Sequence, residues 1–147
     1  MALTRKATAT WTGTGKDGSG TVSTTSGALD NTPHTFLSRF VSEDGRAGTN
    51  PEELIAAAHA SCFTMKMSFV LNAAGYTANL LECTASVKMD KVGDGQGVVG
   101  IHLDLKGRVP RIDTATFQAC AEDAKTNCPI SQLLKSVPIT VSAALLA

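Results

Sequence analysis

One long apolar segment between Asn50 and Gly75 constrains the fold more than any other part of the sequence. Asn50 is a favoured helix N-cap, Pro51 suits the first helical position, and Gly75 is typical of the residue just after a helix. Residues 54–74 are apolar around almost the whole circumference of this helix, which indicates an interior position. A chain of 147 residues can rarely surround so long a helix. We therefore expect an obligate homodimer, in which a second copy covers part of it.

Composition and charge exclude several classes of protein. The 13 basic and 13 acidic residues cancel, and no basic run is present, so nucleic-acid binding is not expected. Polar residues such as Lys66 and Asn72 interrupt the apolar segment, which argues against a membrane span. No apolar signal-peptide core follows Arg5 and Lys6, so we expect a cytoplasmic protein. The length predicts a single domain over residues 1–147.

The N-terminal third shows the alternation that is typical of β-strands. Residues 5–26 alternate threonines with apolar residues around a glycine-containing turn, which predicts a hairpin. Residues 35–42 also alternate, with apolar side chains on both faces, and we expect a strand there. This strand would place Arg39 between Leu37 and Val41 on a covered face, where a cation requires a partner.

The part of the chain that follows Gly75 adds strands and two further helices. The expected elements are, in chain order, strands at residues 80–92 and 98–109 joined by a loop at 93–97, a helix from Asp113 or Thr114 to about Thr126, a short helix that starts at Cys128 and Pro129, and a strand at residues 137–146. Together with the earlier elements, this order predicts an α+β fold.

Four cysteines in a reducing compartment are more typical of catalysis, metal binding or burial than of structural disulfides. Cys83, on the apolar face of a strand, and Cys120, inside a helix, are expected to fill the core. Cys128 stands at a helix start, where backbone N–H groups favour a thiolate. Cys62 lies about 18 Å from the start of its own helix, so it needs a nearby cation to become reactive. The residues alone leave a reactive and an inert interpretation open for both Cys62 and Cys128.

His59 precedes Cys62 by one helical turn and is the histidine with a candidate chemical role. The two residues offer only two metal ligands, so no metal site is expected. His59 is either a base for Cys62 or a histidine that is hydrogen-bonded within the core, and its apolar surroundings favour the second interpretation. His34 and His102 are interpreted as surface or strand-edge residues. The sequence carries no nucleophile elbow, phosphate-binding loop or dinucleotide-binding motif in the expected context.

Three short motifs remain to be explained. They are Asn-Pro-Glu-Glu-Leu at residues 50–54, Ala-Ala-His-Ala-Ser-Cys-Phe at residues 57–63, and Asn-Cys-Pro-Ile-Ser at residues 127–131. Their combination resembles the OsmC/Ohr family of bacterial peroxide-reducing proteins, and in particular its OsmC branch of osmotically inducible organic hydroperoxide reductases. The likeness spans nearly the whole chain and also includes residues 20–24, residues 35–40 with Arg39, and the hairpin region at residues 89–92. It implies an intertwined cytoplasmic homodimer, in which antiparallel sheets pack around long central helices.

The resemblance also implies an activity. Such a protein reduces organic hydroperoxides, and hydrogen peroxide more weakly, with thiols, in defence against oxidative and osmotic stress. No bound cofactor or metal is implied, and an external dithiol, with a lipoyl protein as one candidate, returns the protein to its reduced form. The alternative is a non-catalytic thiol redox sensor or a small-ligand-binding protein. The absence of basic charge argues against a DNA-binding sensor.

The family pattern implies roles for four residues of this chain. Cys62 is the thiol that attacks the peroxide and becomes a sulfenic acid, and Cys128 is the resolving thiol that closes a disulfide with it. Arg39 is the cation that activates Cys62, and Glu52 is the carboxylate that holds this arginine. Helix position alone favours Cys128 as the more reactive thiol. We follow the resemblance because Arg39 supplies what Cys62 lacks.

The spacing of the motifs indicates that the site is shared between two chains. Ten residues separate Glu52 from Cys62, about 15 Å along one helix axis. One helix cannot comfortably bring both side chains to a single peroxide. We therefore expect Arg39 and Glu52 of one subunit to meet the two thiols of the other. Five large apolar residues near the motifs could line a substrate pocket or fill the core: Phe36, Phe40, Phe63, Met65 and Phe69.

Overall fold

The structure, a computed structural model, describes residues 1–147 and forms two compact units, residues 1–54 and 55–147. The first unit contains β1 (Ala7–Thr12), β2 (Ser19–Thr24), β3 (Thr32–Thr35) and α1 (Phe36–Phe40). Helix α2 (Pro51–Ala73) begins in the first unit and continues in the second. The second unit adds β4 (Leu80–Val92), β5 (Gly95–Arg108), α3 (Thr114–Asn127), α4 (Pro129–Leu133) and β6 (Ile139–Leu145). The expected α+β class is confirmed.

The three strands of the first unit form an antiparallel sheet in the order β1-β2-β3. The expected hairpin is confirmed, because Thr12 pairs with Ser19 across the turn. The ring of His34 on β3 donates through Nε2 to the carbonyl oxygen of Thr10 on β1, at 3.1 Å. Gly20 on β2 makes room for this contact, since a Cβ there would lie 2.6 Å from the ring nitrogen.

The strand expected over residues 35–42 is wrong, because this segment forms the short helix α1. Thr35 and Ser38 make a capping box: the N–H of Ser38 donates to Thr35 Oγ1 at 3.0 Å, and the N–H of Thr35 donates to Ser38 Oγ at 2.9 Å. These local hydrogen bonds outweigh the alternating pattern. The covered face expected around Arg39 is therefore absent, and Leu37 and Val41 are each more than half exposed.

Helix α2 has the predicted ends. Asn50 Oδ1 accepts a hydrogen bond from the N–H of Glu53 at 2.8 Å, and Gly75 takes a positive φ of 87° after the last turn. The helix is long and apolar enough to cross a membrane, but core helices of soluble proteins meet the same test. Its buried residues recur at every fourth position: His59, Phe63, Met67 and Leu71.

The turn between β4 and β5 is tighter than expected. Val92 pairs with Gly95, so Gly93 and Asp94 alone make the turn, and the expected loop at residues 93–97 is too long. Gly93 has a φ of 58°, which two-residue hairpin turns require and which glycine adopts without strain. The antiparallel pairing of β4 with β5 is as expected.

The second sheet has the order β4-β5-β6, and β6 pairs with β5 in parallel. The expectation of antiparallel sheets is therefore wrong for this pair, and the second sheet is mixed. Helices α3 and α4 stand between β5 and β6 in the chain. They form the long crossover that a parallel pair requires, whereas an antiparallel pair can be joined by a short turn.

The core of the second unit lies between α2, α3 and the inward face of β5. Ile101, Leu103 and Leu105 alternate inward on β5, as predicted, and pack in one cluster with Phe63 and Phe117. All four cysteines belong to this region: Cys120 and Cys128 are buried in the cluster, and Cys62 and Cys83 pack against it. The expected core positions of Cys83 and Cys120 are therefore confirmed.

Replacing Ser38 with alanine is expected to destabilise the first unit by about 1–2 kcal/mol. The change removes the acceptor for the N–H of Thr35 and the hydroxyl that donates to the carbonyl oxygen of Thr49 at 3.0 Å. Trp11, the only tryptophan, lies in this unit, so its fluorescence during urea unfolding measures the change. The control Ser19→Ala removes an exposed hydroxyl from the same unit and should alter stability by less than about 0.5 kcal/mol. Equal effects of both substitutions would contradict the capping role.

Candidate active site

Two thiols from distant parts of the sequence meet in the second unit. Cys62, in the middle of α2, and Cys128, the N-cap of α4, have their sulfur atoms 3.0 Å apart, within hydrogen-bond distance. Both cysteines are free. Bonded sulfurs lie at about 2.05 Å, so closing a disulfide requires a movement of about 1 Å. Cys62 is partly exposed, whereas Cys128 is fully buried at 0% exposure.

The position of Cys128 follows from the residue after it. A proline disfavours the helical conformation at the preceding residue. Cys128, which precedes Pro129, is accordingly extended, with φ −65° and ψ 128°, and ends α3 before α4 begins. This break in the helix is the local feature that presents the Cys128 thiol to α2.

The surroundings of Cys62 within the second unit do not favour its thiolate. Burial raises the pKa of Cys62, and the hydrogen bond and charge of Cys128 raise it further. A hydrogen bond from the backbone of Ile130 is the one contribution that lowers this pKa. Within residues 55–147, these contributions together favour the protonated thiol of Cys62.

Arg39 and Glu52 form the expected ion pair in the first unit. Arg39 Nη2 donates to Glu52 Oε1 at 2.8 Å, and Arg39 Nε donates to Glu52 Oε2 at 3.2 Å. Two parallel hydrogen bonds of this kind fix the orientation of the guanidinium. Glu52 is mostly buried, while Arg39 is partly exposed and stacks over the ring of Phe40 at 4.9 Å. The ion pair therefore fixes the orientation of the Arg39 guanidinium and leaves its other edge without a hydrogen bond.

A cavity of about 280 Å³ adjoins this arginine, entirely within the first unit. Most of its lining is apolar, and Arg39 is its charged member. The large side chains that line it are Trp11, His34, Phe36, Arg39 and Phe40. Of the five apolar residues proposed from the sequence, Phe36 and Phe40 therefore line a pocket, Phe63 fills the core, and Met65 and Phe69 are exposed. The four expected site residues form two pairs, one in each unit.

His59 is a buried histidine whose hydrogen-bond partner is Ser131, not Cys62. His59 Nε2 lies 2.7 Å from Ser131 Oγ, and burial lowers the pKa of the ring. The structural interpretation of His59 is therefore favoured over that of a base. Sequence reasoning gave no role to Ser131, although it belongs to the 127–131 motif. The other histidines lie as expected: His34 is at a strand edge, and His102 is exposed on β5, between the hydroxyls of Thr140 and Ser142.

The remaining thiols are held in the protonated form. Burial raises the pKa of Cys83 to about 11, and the charge of Asp104 contributes. Burial also raises the pKa of Cys120, and Asp123 adds to the effect. No group of three or more histidine, cysteine or acidic side chains is placed to hold a metal ion.

Two free thiols in contact, one of them on the long helix of an α+β chain, define a candidate dithiol site. The family model for OsmC-like proteins matches residues 43–142. The chain belongs to this family, as its motifs predicted.

Known relatives agree with this assignment. The chain is 46% identical over 136 residues to the peroxiredoxin OsmC of Escherichia coli (strain K12), which covers 92% of this chain and 93% of the relative. It is 35% identical over 104 residues to the organic hydroperoxide resistance protein of Xanthomonas axonopodis pv. citri (strain 306), covering 68% and 70% of the two chains. The crystal structure of an OsmC-like protein from Mycoplasma pneumoniae superimposes with a TM-score of 0.74 over 100% of both chains at 18% identity, which shows the shared fold.

The buried His59 predicts that the second unit loses stability in weak acid. An exposed histidine titrates near pH 6.5, and burial lowers the pKa of His59 in the folded protein. The unfolded chain therefore binds a proton that the folded chain does not, so stability is present above about pH 6.5 and is lost as pH falls below it. Urea unfolding between about pH 8 and pH 5.5 should show this slope, and His59→Gln should reduce it. The control His102→Gln replaces an exposed ring and should leave the pH dependence of stability as in the wild type. An unchanged slope in His59→Gln would contradict the assignment.

Proposed function

We propose that this protein is a thiol-dependent peroxidase that reduces organic hydroperoxides, and hydrogen peroxide more weakly, with Cys62 and Cys128. The observation that carries the proposal is the 3.0 Å separation of the two sulfur atoms in a chain that belongs to the OsmC-like family. The names of its relatives, a peroxiredoxin and an organic hydroperoxide resistance protein, support the same activity. The proposed setting is a cytoplasmic homodimer in which residues 1–147 act as one domain, in defence against oxidative and osmotic stress.

The oxidative half of the proposed cycle uses both thiols in turn. The thiolate of Cys62 attacks one peroxide oxygen, the O–O bond breaks, and the alcohol leaves with a proton while Cys62 becomes a sulfenic acid. The sulfur of Cys128 then attacks the Cys62 sulfur. The S–O bond breaks, water leaves, and a disulfide remains. The short distance between the sulfurs favours this second step, because the attacking atom is already close to its target.

Arg39 is proposed to activate the first step, and Glu52 to hold it in place. The guanidinium lowers the free energy of the Cys62 thiolate and neutralises the alkoxide that departs. Burial raises the pKa of Cys62, and a neighbouring cation would offset this effect. Because ten residues of α2 separate Glu52 from Cys62, we propose that a second subunit supplies the arginine. Apolar residues of α2 left exposed in the single chain, Met65 at 63% and Phe69 at 64%, are consistent with such a partner.

The cavity beside Arg39 is the proposed site for the organic part of the substrate. Trp11, Phe36 and Phe40 offer an apolar lining for an alkyl or aryl group, and the guanidinium of Arg39 can hold the peroxide oxygens. A substrate with an apolar group therefore gains contacts that hydrogen peroxide lacks. This difference supports the proposed preference for organic hydroperoxides.

The reductive half of the cycle is proposed to begin at Cys62. Cys128 is fully buried in the single chain, and a second subunit can only cover more of its surface. One thiolate of the reductant attacks the Cys62 sulfur, and the electron pair of the S–S bond passes to Cys128. The second thiol of the reductant then frees Cys62 and leaves the reductant oxidised. An external dithiol fits this sequence, and a lipoyl protein is the proposed physiological form. No prosthetic group takes part.

Sustained peroxide consumption with a dithiol tests the proposed activity. The wild-type protein with dihydrolipoamide and cumene hydroperoxide should turn over many equivalents, and Cys62→Ser should fall to the rate without protein, because the nucleophile is gone. The matched control Cys83→Ala removes a thiol with a pKa of about 11 and should keep its activity. Consumption that stops after one equivalent would instead identify a redox sensor.

Mixed subunits test whether the site is shared. Arg39→Ala and Cys62→Ser are expected to be inactive alone, but a heterodimer of the two contains one complete site. With random exchange, half of the dimers are mixed, so about a quarter of wild-type activity should return. The control pair Cys62→Ser and Cys128→Ser should recover nothing, because both sulfurs of a site belong to one chain. Failure of the first mixture to recover after verified exchange would argue against the shared site.

A further inference from the structure

A second contact lies directly beside the thiol pair. His59 precedes Cys62 by one turn on α2, and Ser131 follows Cys128 by three residues at the start of α4. The His59 ring meets the Ser131 hydroxyl at 2.7 Å, and the two sulfurs meet at 3.0 Å. Helix α2 and the start of α4 thus meet at two contacts. One is the hydrogen bond between His59 and Ser131, and the other is the contact between the two thiols.

The hydrogen bond is sealed from solvent. His59 has 0% exposure and Ser131 has 4%, so both partners are removed from bulk water. The other ring nitrogen, His59 Nδ1, is buried without any hydrogen-bond partner. Burying an unpaired polar atom costs free energy, and an apolar side chain at this position would avoid that cost. The presence of a histidine at position 59 is therefore best explained by the hydrogen bond between its Nε2 atom and Ser131.

Helix α4 needs such an anchor. It has only five residues, and so short a helix is not stable by itself. The direction of its first turn sets the place of Cys128, since Cys128 is its N-cap and makes no capping hydrogen bond with its side chain. A bond from α2 to Ser131, inside that turn, fixes the turn relative to the helix that carries Cys62.

We propose that His59 and Ser131 are positioning residues for disulfide closure, which hold Cys128 within reach of Cys62 after the peroxide has reacted. This inference rests on the proposed peroxidase function and deepens it. In the step concerned, the Cys128 sulfur attacks the sulfenic sulfur of Cys62, the S–O bond breaks, and the hydroxide that leaves takes the Cys128 proton to form water. The step needs no further oxidant or reductant.

The proposal separates two reactions that compete for the sulfenic acid. Closure by Cys128 gives a disulfide that a dithiol can reopen, whereas a second peroxide gives a sulfinic acid that it cannot. If the Cys128 thiol is not held close to Cys62, disulfide closure becomes slower, whereas the reaction of the sulfenic acid with a second peroxide is unchanged. The fraction of Cys62 that becomes sulfinic acid therefore measures how well the Cys128 thiol is held. A general loss of folding stability does not predict a rise in this fraction.

Ser131→Ala in the full-length protein tests the proposal. Reduced protein is mixed with cumene hydroperoxide, quenched at short times, and analysed by mass for sulfenic acid, disulfide and sulfinic acid. The rate of sulfenic-acid formation should stay within about twofold of wild type, while closure should slow about tenfold and sulfinic acid at Cys62 should rise with peroxide. Ser131→Thr keeps the hydroxyl and should restore closure. The control Ser68→Ala removes a hydroxyl that bonds only to the Met65 carbonyl on the same helix and should change neither rate.

Closure at the wild-type rate in Ser131→Ala, or a Ser131→Thr protein that folds yet closes as slowly as Ser131→Ala, would overturn the proposal. If Ser131→Ala unfolds, His59→Gln provides the same comparison and should show the same excess of sulfinic acid. The wild-type arm separates this inference from the proposed function. Wild-type protein that forms neither sulfenic acid nor disulfide disproves the peroxidase, whereas rapid closure in every variant disproves only the positioning role.

Discussion

The contact between Cys62 and Cys128 imposes a conflict that the rest of the site has to resolve. The two residues are 66 positions apart in sequence, so only the packing of α2 against the start of α4 brings their sulfurs together. The burial that results raises the pKa of Cys62, and the neighbouring thiol raises it further. The geometry that favours disulfide closure thus opposes the first attack on the peroxide. We propose that an oriented cation removes this conflict and that Arg39, which two hydrogen bonds to Glu52 hold in place, supplies it.

Local sequence signals predicted the elements whose ends are set by one or two residues. Asn50 and Gly75 marked the ends of α2, and the alternation of β4 and β5 gave the correct inward faces. The prediction of a strand at residues 35–42 was wrong because two local signals compete there. The alternating pattern favours a strand, but the reciprocal hydrogen bonds of Thr35 and Ser38 favour a helix of only five residues. The parallel pairing of β6 was missed for a different reason: strand direction depends on how α3 and α4 pack, which no short motif encodes.

In the site, too, the sequence identified residues that belong to short motifs but not the contacts between residues that are distant in sequence. Resemblance of short motifs named Cys62, Cys128, Arg39 and Glu52, and the structure adds that these residues form two close pairs. The sequence could not provide the hydrogen bond between His59 and Ser131, because its partners are 72 residues apart. Nor could it separate a pocket-lining phenylalanine from a core one. Phe36 and Phe63 look alike in sequence, but one lines a cavity and the other is fully buried.

Cys62 is proposed to react first and Cys128 second, and trapping of the sulfenic acid distinguishes this order from the reverse. Reduced Cys128→Ser and Cys62→Ser proteins are each treated with one equivalent of cumene hydroperoxide in the presence of a dimedone probe, and the adduct is located by peptide mass. An adduct is expected at Cys62 in Cys128→Ser, and none is expected in Cys62→Ser. An adduct at Cys128 in Cys62→Ser, with none at Cys62 in the other variant, would disprove this order and exchange the roles of the two thiols.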